Sequence, residues 1–370
     1  MKRCRLTYLA CTAALLAVGV GAAPPVSGSA FRPVHVVHPG ESIQDAVDAA
    51  APGDVVLVTA GTYVESVTVR TPRLTLRGMG PLTVIKPALK IASSPKPGAS
   101  DAPTGSCGAT GNGICVLGTK DAALDGVTVE SLTVSGFARA GVYASATDRL
   151  TVRRVTAAGN GVWGIAQEGS TRSELRENTA QDNGDAGIFL ANSVAQEQGA
   201  LDARGTVVRH NRLTGNRIGV TVRRLRALTV ARNYATGNCA GMFVVGDENT
   251  PRTGDVTVSE NRVVRNNKSC PKTARLDAIQ GSGIVLTGVE GTRVSGNRVA
   301  ENIGSSSLSG GIVLFKSFVG APNDNNRITG NLLDANSPAD LVDTDTDTGT
   351  DRGNVYENNL CRTSLPAGRC

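Results

Sequence analysis

Lys316, Arg223 and Glu168 are the residues whose types and places in the chain could move a proton beside a carboxylate. Abstracting a proton next to a uronate carboxylate needs a base and a group that neutralises the developing enolate. Lys316 is the first choice for base or electrostatic stabiliser, Arg223 for carboxylate clamp, and Glu168 adds a carboxylate to the same column of positions. Tyr143, Phe189, Phe243 and Phe315 fall in register with them and offer aromatic faces for stacking, with Asp247 as a further charge nearby. The whole chain has 12 aromatic residues, so four in these columns is an uneven distribution. The alternative is that inserted loops pack down on these rings.

Two other constellations carry charge. Asp343, Asp345 and Asp347 alternate with threonine in the manner of an oxygen-rich calcium loop, although Gly349 falls one place late and Asn354 occupies the twelfth position where an acid is needed. Calcium is the one cofactor the sequence suggests. Arg153, Arg176 and Arg209 recur at equivalent positions and could face a polyanion. Glu174, Glu177 and Asp182 beside them could equally serve as counter-charges on a solvated surface.

These registers come from a repeat. Asn178, Asn211, Asn233, Asn261, Asn297 and Asn331 are each followed five residues later by a second asparagine, from Asn183 to Asn336, and then by a glycine and an aliphatic residue such as Gly187-Ile188 or Gly219-Val220. One earlier copy keeps only Asn160. Uninterrupted copies are 22 or 23 residues long, too short for two helices, and their apolar residues alternate in three short pieces. Three strands per copy make a solenoid, in which stacked coils ~4.8 Å apart let equivalent asparagines hydrogen-bond amide to amide. Asparagine tolerates the left-handed corner such coils need, and glycine gives the same freedom. Insertions at 93–113, 193–205, 246–254, 267–282, 305–309 and 316–325 all flank the Gly-aliphatic strand, as two loop walls of a groove would.

At the N-terminus, Lys2, Arg3 and Arg5 precede an apolar run from Leu9 to about Ala23, so residues 1–30 read as a signal peptide cleaved between 22 and 30. Without them the net charge falls from +6 to +3, which says little about partners. Residues 31–54 form an extension and a helix capped by Ser42, with Ile43, Ala46, Val47 and Ala50 on one face to cover the open end of the stack. Residues 55–360 make the solenoid and 361–370 a clipped tail. Six cysteines remain in local pairs, Cys107 with Cys115, Cys239 with Cys270 and Cys361 with Cys370.

The run from Pro39-Gly40-Glu41-Ser42 through Gly61-Thr62-Tyr63 to Leu74-Thr75-Leu76-Arg77-Gly78, followed by the Asn/Gly repeats, resembles the secreted right-handed parallel β-helix proteins of the pectate-lyase-like superfamily. The likeness is to the repeat-bearing group associated with carbohydrate binding and sugar hydrolysis, and it covers roughly residues 36 to 360. It implies an all-β, single-stranded right-handed parallel β-helix of about ten coils with an N-terminal capping helix, exported from the cell. It implies a polysaccharide partner, acidic if Arg223 and Lys316 are its contacts. No nucleic-acid or membrane partner is expected, and the protein reads as a monomer. Activity motifs of the family depart from the pattern: the Asp-Asp pair with Gly-His-Gly of polygalacturonase-like hydrolases, the Asp-Pro-His-Asp run of mannuronate epimerases and the Arg-Pro element of pectate lyases are all missing. Copper ligation, as in related β-helix proteins, would need His or Met, and beyond residue 30 there are only His35, His38, His210, Met79 and Met242. Two classes therefore stay open: a polysaccharide lyase or epimerase working along the Gly-aliphatic strand sheet, and a non-catalytic extracellular binding or scaffold protein.

Overall fold

The computed structural model describes residues 32–88, 106–274, 276–345 and 352–370. The leader expected at 1–30 and the third acid of the calcium motif, Asp347, lie outside these residues.

Each coil contributes three strands, and like strands stack in parallel into sheets of twelve, ten and eleven strands. One coil shows the pattern: Thr151–Arg153 belongs to the first sheet, Thr156–Ala158 to the second and Trp163–Glu168 to the third. Register follows the repeat without slippage along the third sheet, so Ile165 pairs with Ile188, Ile188 with Val220 and Val220 with Met242. Inward residues such as Leu175, Ala180 and Ile188 are fully buried, and their counterparts in the next coils fill one continuous core. Burial of that core is the main favourable term holding the stack. The result is the right-handed parallel β-helix expected from the repeat.

Both asparagine columns form ladders. Asn211 accepts the backbone and side-chain N–H groups of Asn178 at 3.0 Å, and donates its own amide to Asn233 at 2.9 Å and to the Leu175 carbonyl at 2.9 Å. All four hydrogen-bonding positions of the side chain are thus used. Asn359 closes this first ladder, a member the repeat does not reveal.

The corner geometry differs from expectation in one respect. The left-handed residue is not the asparagine but the residue before it: Glu177, His210, Arg232 and Glu260 have φ of 54–56°. The asparagine side chain must point inward along the stack, so the preceding residue makes the turn. Nor does the Gly of the Gly-aliphatic pair supply φ freedom; it supplies space. A Cβ on Gly164 would lie 2.6 Å from the Gly187 carbonyl oxygen and 2.9 Å from Asn183 Nδ2.

The helix Ile43–Ala49 caps the N-terminal end, burying Ile43 and Val47, with Ser42 accepting from the Asp45 amide. Glu65 takes the amides of Ile43 and Gln44, which the helix leaves without internal partners. The three local disulfides form as expected. No helix among the described residues is long and apolar enough to cross a membrane.

Candidate functional site

The insertions flank the third sheet on both borders, but they do not leave its outer face open. Tyr143 is 1% exposed, Phe189 7% and Phe243 4%, so three of the four rings expected to stack on a ligand are buried. They belong to two apolar clusters outside the main core. Tyr143, Trp163 and Phe189 pack with Cys107, Cys115 and Val194, and Trp163 stacks on Phe189 at 4.7 Å. Phe243 packs with Ile279, Leu308 and the Cys239–Cys270 bridge. The loops bring their own apolar residues and gain more by covering the rings than by leaving them wet.

What stays accessible is the next outward column. Ser145, Glu168, Ala191, Arg223, Val245, Thr287 and Phe315 pair in register. All but Ala191 are half-buried. Six coil steps make a lane of ~29 Å at ~4.8 Å per coil. Glu168 is held in it: one carboxylate oxygen accepts the Tyr143 hydroxyl at 2.7 Å and the other the Val194 amide at 2.9 Å. Burial, then the Glu168 charge, push the Tyr143 phenol far above its usual range, so it stays a donor. Arg223 reaches the Val194 carbonyl at 3.4 Å. At the far end Phe315 meets Phe318 at 5.1 Å between ring centres, and Phe318 is 70% exposed. Sequence reasoning missed Phe318 because it sits in an insertion that has no register with the repeat.

Glu168, Arg223 and Lys316 are not brought to one point. Ala191 separates Glu168 from Arg223, and Val245 and Thr287 separate Arg223 from Phe315, the residue before Lys316. The separations are ~10 Å and ~14 Å along the stack, whereas a base and its partners must lie within hydrogen-bond reach of the same sugar. Lys316 is exposed, and its backbone amide donates to Thr344 at 3.1 Å.

Asp247 is tied to its neighbours. It binds the Nε of Arg224, a side chain buried to 5% exposure, and the amide of Asn249. Burial raises the Asp247 carboxyl, but hydrogen bonds from Asn249 and Arg224 outweigh it and leave the group below its ordinary value. Arg224 also donates to the Gln196 carbonyl at 2.6 Å, and Arg252 pairs with Asp324 at 2.6 Å. Insertions 193–205, 246–254 and 316–325 are therefore tied into one wall beside the lane.

The first-sheet arginines are neutralised. Arg153 pairs with the buried Glu130, Arg176 with Glu174 and Glu177, and Arg209 with Glu174 at 2.6 Å. The two acids of the calcium motif that are described are occupied by donors. Asp343 accepts Tyr356 Oη at 2.8 Å and lies 3.2 Å from the Arg369 guanidinium, and Asp345 accepts the amide and side chain of Asn323. Among the described residues no three acids, histidines or cysteines gather as a metal site. Two cavities, of about 300 and 390 Å³, lie at the C-terminal end of the stack and not on the lane.

Residues 106–263 match the family model for a right-handed beta helix region, and residues 196–365 match that of the periplasmic copper-binding protein NosD. Copper does not fit this donor set: within 196–365 His210 is the one histidine, Met242 is buried in the core and Cys239 and Cys270 are bridged. Among solved structures, the A-module of mannuronan C-5 epimerase AlgE6 of Azotobacter vinelandii is 20% identical with a TM-score of 0.54, over 87% of this chain and 92% of that one. The alginate lyase of Paenibacillus sp. str. FPU-7 is 14% identical with a TM-score of 0.57, over 80% and 94%. DFA-IIIase from Arthrobacter chlorophenolicus A6 is 14% identical with a TM-score of 0.51, over 84% and 77%. No curated protein matches the chain by sequence. With its parallel three-sheet stack, the chain is a right-handed parallel β-helix protein.

Proposed function

We propose that the protein binds a linear polysaccharide along the lane from Ser145 to Phe315, as a carbohydrate-binding β-helix of an oxidising compartment. The observation that carries this reading is the lane itself: Glu168, Arg223, Thr287 and Phe315 in register beside a cross-tied wall, ending at the exposed Phe318 ring. Polar groups repeating along a strip, with an aromatic face at one end, suit a chain of sugar rings. The three disulfides support a setting outside the reducing cytosol.

Binding without turnover is favoured over a lyase or epimerase, because both oxygens of Glu168 are engaged and Arg223 and Lys316 stand coils apart. The catalytic reading draws support from the epimerase and the lyase that share the fold. The test is affinity electrophoresis in uronate-containing and neutral polysaccharides, with absorbance of unsaturated products followed in parallel. Retardation that Phe318→Ala and Arg223→Ala weaken, with no absorbance change, is the expected result. Retardation that neither variant alters would overturn the lane, and product absorbance would reinstate the enzyme.

A further inference from the structure

The second sheet carries a basic column that nothing so far accounts for. Its outward positions run Thr179, Arg212, Tyr234, Arg262, Arg298 and Leu332 on successive coils. Arg212 and Arg262, from the coils on either side, place their guanidinium groups 5.3 and 5.6 Å from the centre of the Tyr234 ring. Cation–π contact on a ring held by the sheet restricts both long side chains.

Arg212, Arg262 and Arg298 are exposed, and among the described residues none has an ion pair. That sets them apart from the arginines at the neighbouring corners, where Arg232 pairs with Glu260 at 2.9 Å and Arg265 with Glu301 at 2.7 Å. The carboxylates facing the column are Glu301, already held by Arg265, and Asp334, which lies 3.9 Å from Arg362. Arg262 and Arg298, on adjacent coils ~4.8 Å apart, repel each other, and Glu301, whose charge both of them feel, is already paired with Arg265, so the row is only partly compensated in the free protein and is relieved by an anion. The column ends at the cavity of about 300 Å³, which Arg298, Leu332, Leu360 and Arg362 line.

We propose that this face of the second sheet is a second binding site, for a carboxylate-bearing linear polysaccharide. The stack strings the guanidinium groups along a flat strand surface, with Arg212 and Arg262 on either side of Tyr234 and Arg298 one coil beyond, which suits a polymer that carries charge along its length. The planar guanidinium fork matches a carboxylate through two parallel hydrogen bonds. Single-stranded nucleic acid is the weaker fit, because the one aromatic ring in the column already has guanidinium groups beside it and is not a free stacking platform. The site is independent of the lane, which lies on another sheet.

The experiment uses the full chain and immobilised polygalacturonate, with single-stranded DNA and anionic phospholipid vesicles as competing probes. The variants are Arg212→Gln/Arg262→Gln/Arg298→Gln combined, and Arg298→Gln alone in case the combined variant melts early. Binding that falls with added salt, weakens about tenfold or more in the combined variant and partly in the single one, and survives Phe318→Ala is the expected result. Wild-type failure to bind polygalacturonate, equal binding by the arginine variants, or preferential capture by DNA or vesicles would each overturn the proposal. Loss of neutral-polysaccharide binding in Phe318→Ala alone would concern the lane and leave this site standing or falling on the arginine variants.

Discussion

Asn336 gives both its backbone N–H, at 3.2 Å, and its side-chain N–H, at 2.9 Å, to one carboxylate oxygen of Asp340, so the second asparagine ladder ends on a charge. The other oxygen of Asp340 takes the amides of Arg362 and Thr363 from the C-terminal tail. Each asparagine of this ladder passes its backbone N–H and one side-chain N–H forward and gives the other side-chain N–H back to a carbonyl of the coil before, and the last forward pair needs an acceptor that demands nothing in return. A carboxylate is such a group.

Replacing Asp340 with Asn would set a side-chain NH₂ against amide donors on one side or the other. The expected loss is about 1–3 kcal/mol at neutral pH, read from denaturant unfolding. Burial pushes the Asp340 carboxyl up, but the hydrogen bonds from Arg362, Asn336 and Thr363 outweigh it and hold the group below its ordinary value. A depressed folded pKa means the stabilisation is complete above the ordinary carboxylate range and is lost as pH falls through the folded value. The stability gap between wild type and Asp340→Asn should therefore shrink below about pH 4.

Gly164→Ala tests the close approach between strand and ladder. The new methyl would press on the Gly187 carbonyl and the Asn183 amide, both fixed by the stack. A loss of about 1–3 kcal/mol in unfolding free energy is expected. An unchanged melting curve would show that the coils can separate at this point.

Phe243→Ala and Phe318→Ala should part company. Phe243 is buried under the loop pinned by Cys239 and Cys270, so its removal should cost roughly 3–5 kcal/mol. Phe318 is largely exposed, and its loss should change stability by less than about 0.5 kcal/mol. Thermal unfolding of the two variants side by side distinguishes a packed ring from a contact ring.

Calcium should leave the melting temperature unchanged between chelator and millimolar ion. Oδ2 of Asp343 and Oδ2 of Asp345 already accept from Tyr356, Arg369 and Asn323, so these carboxylates are stabilised without an ion. A rise with calcium would show linkage to a folded-state site that includes them.

The sequence alone determined the architecture: the repeat set coil length, three strands per coil and two asparagine ladders, and local signals outside it set the capping helix and three local disulfides. Each of these recurs or is closed within a short stretch of chain, so its cause can be read where it occurs. The column holding Glu168, Arg223 and Phe315 was legible for the same reason. Whether its aromatic neighbours were open was not, because Tyr143 and Phe243 are covered by insertions that follow no repeat, and only packing says which way a loop folds. Charge was equally undecided: Arg153 and Arg209 look like Arg212 and Arg262 in sequence. The first two meet Glu130 and Glu174 across coils, while the latter two face Tyr234. Pairing across coils depends on which side chains share a sheet face, and the stack settles that through contacts between residues more than 20 positions apart.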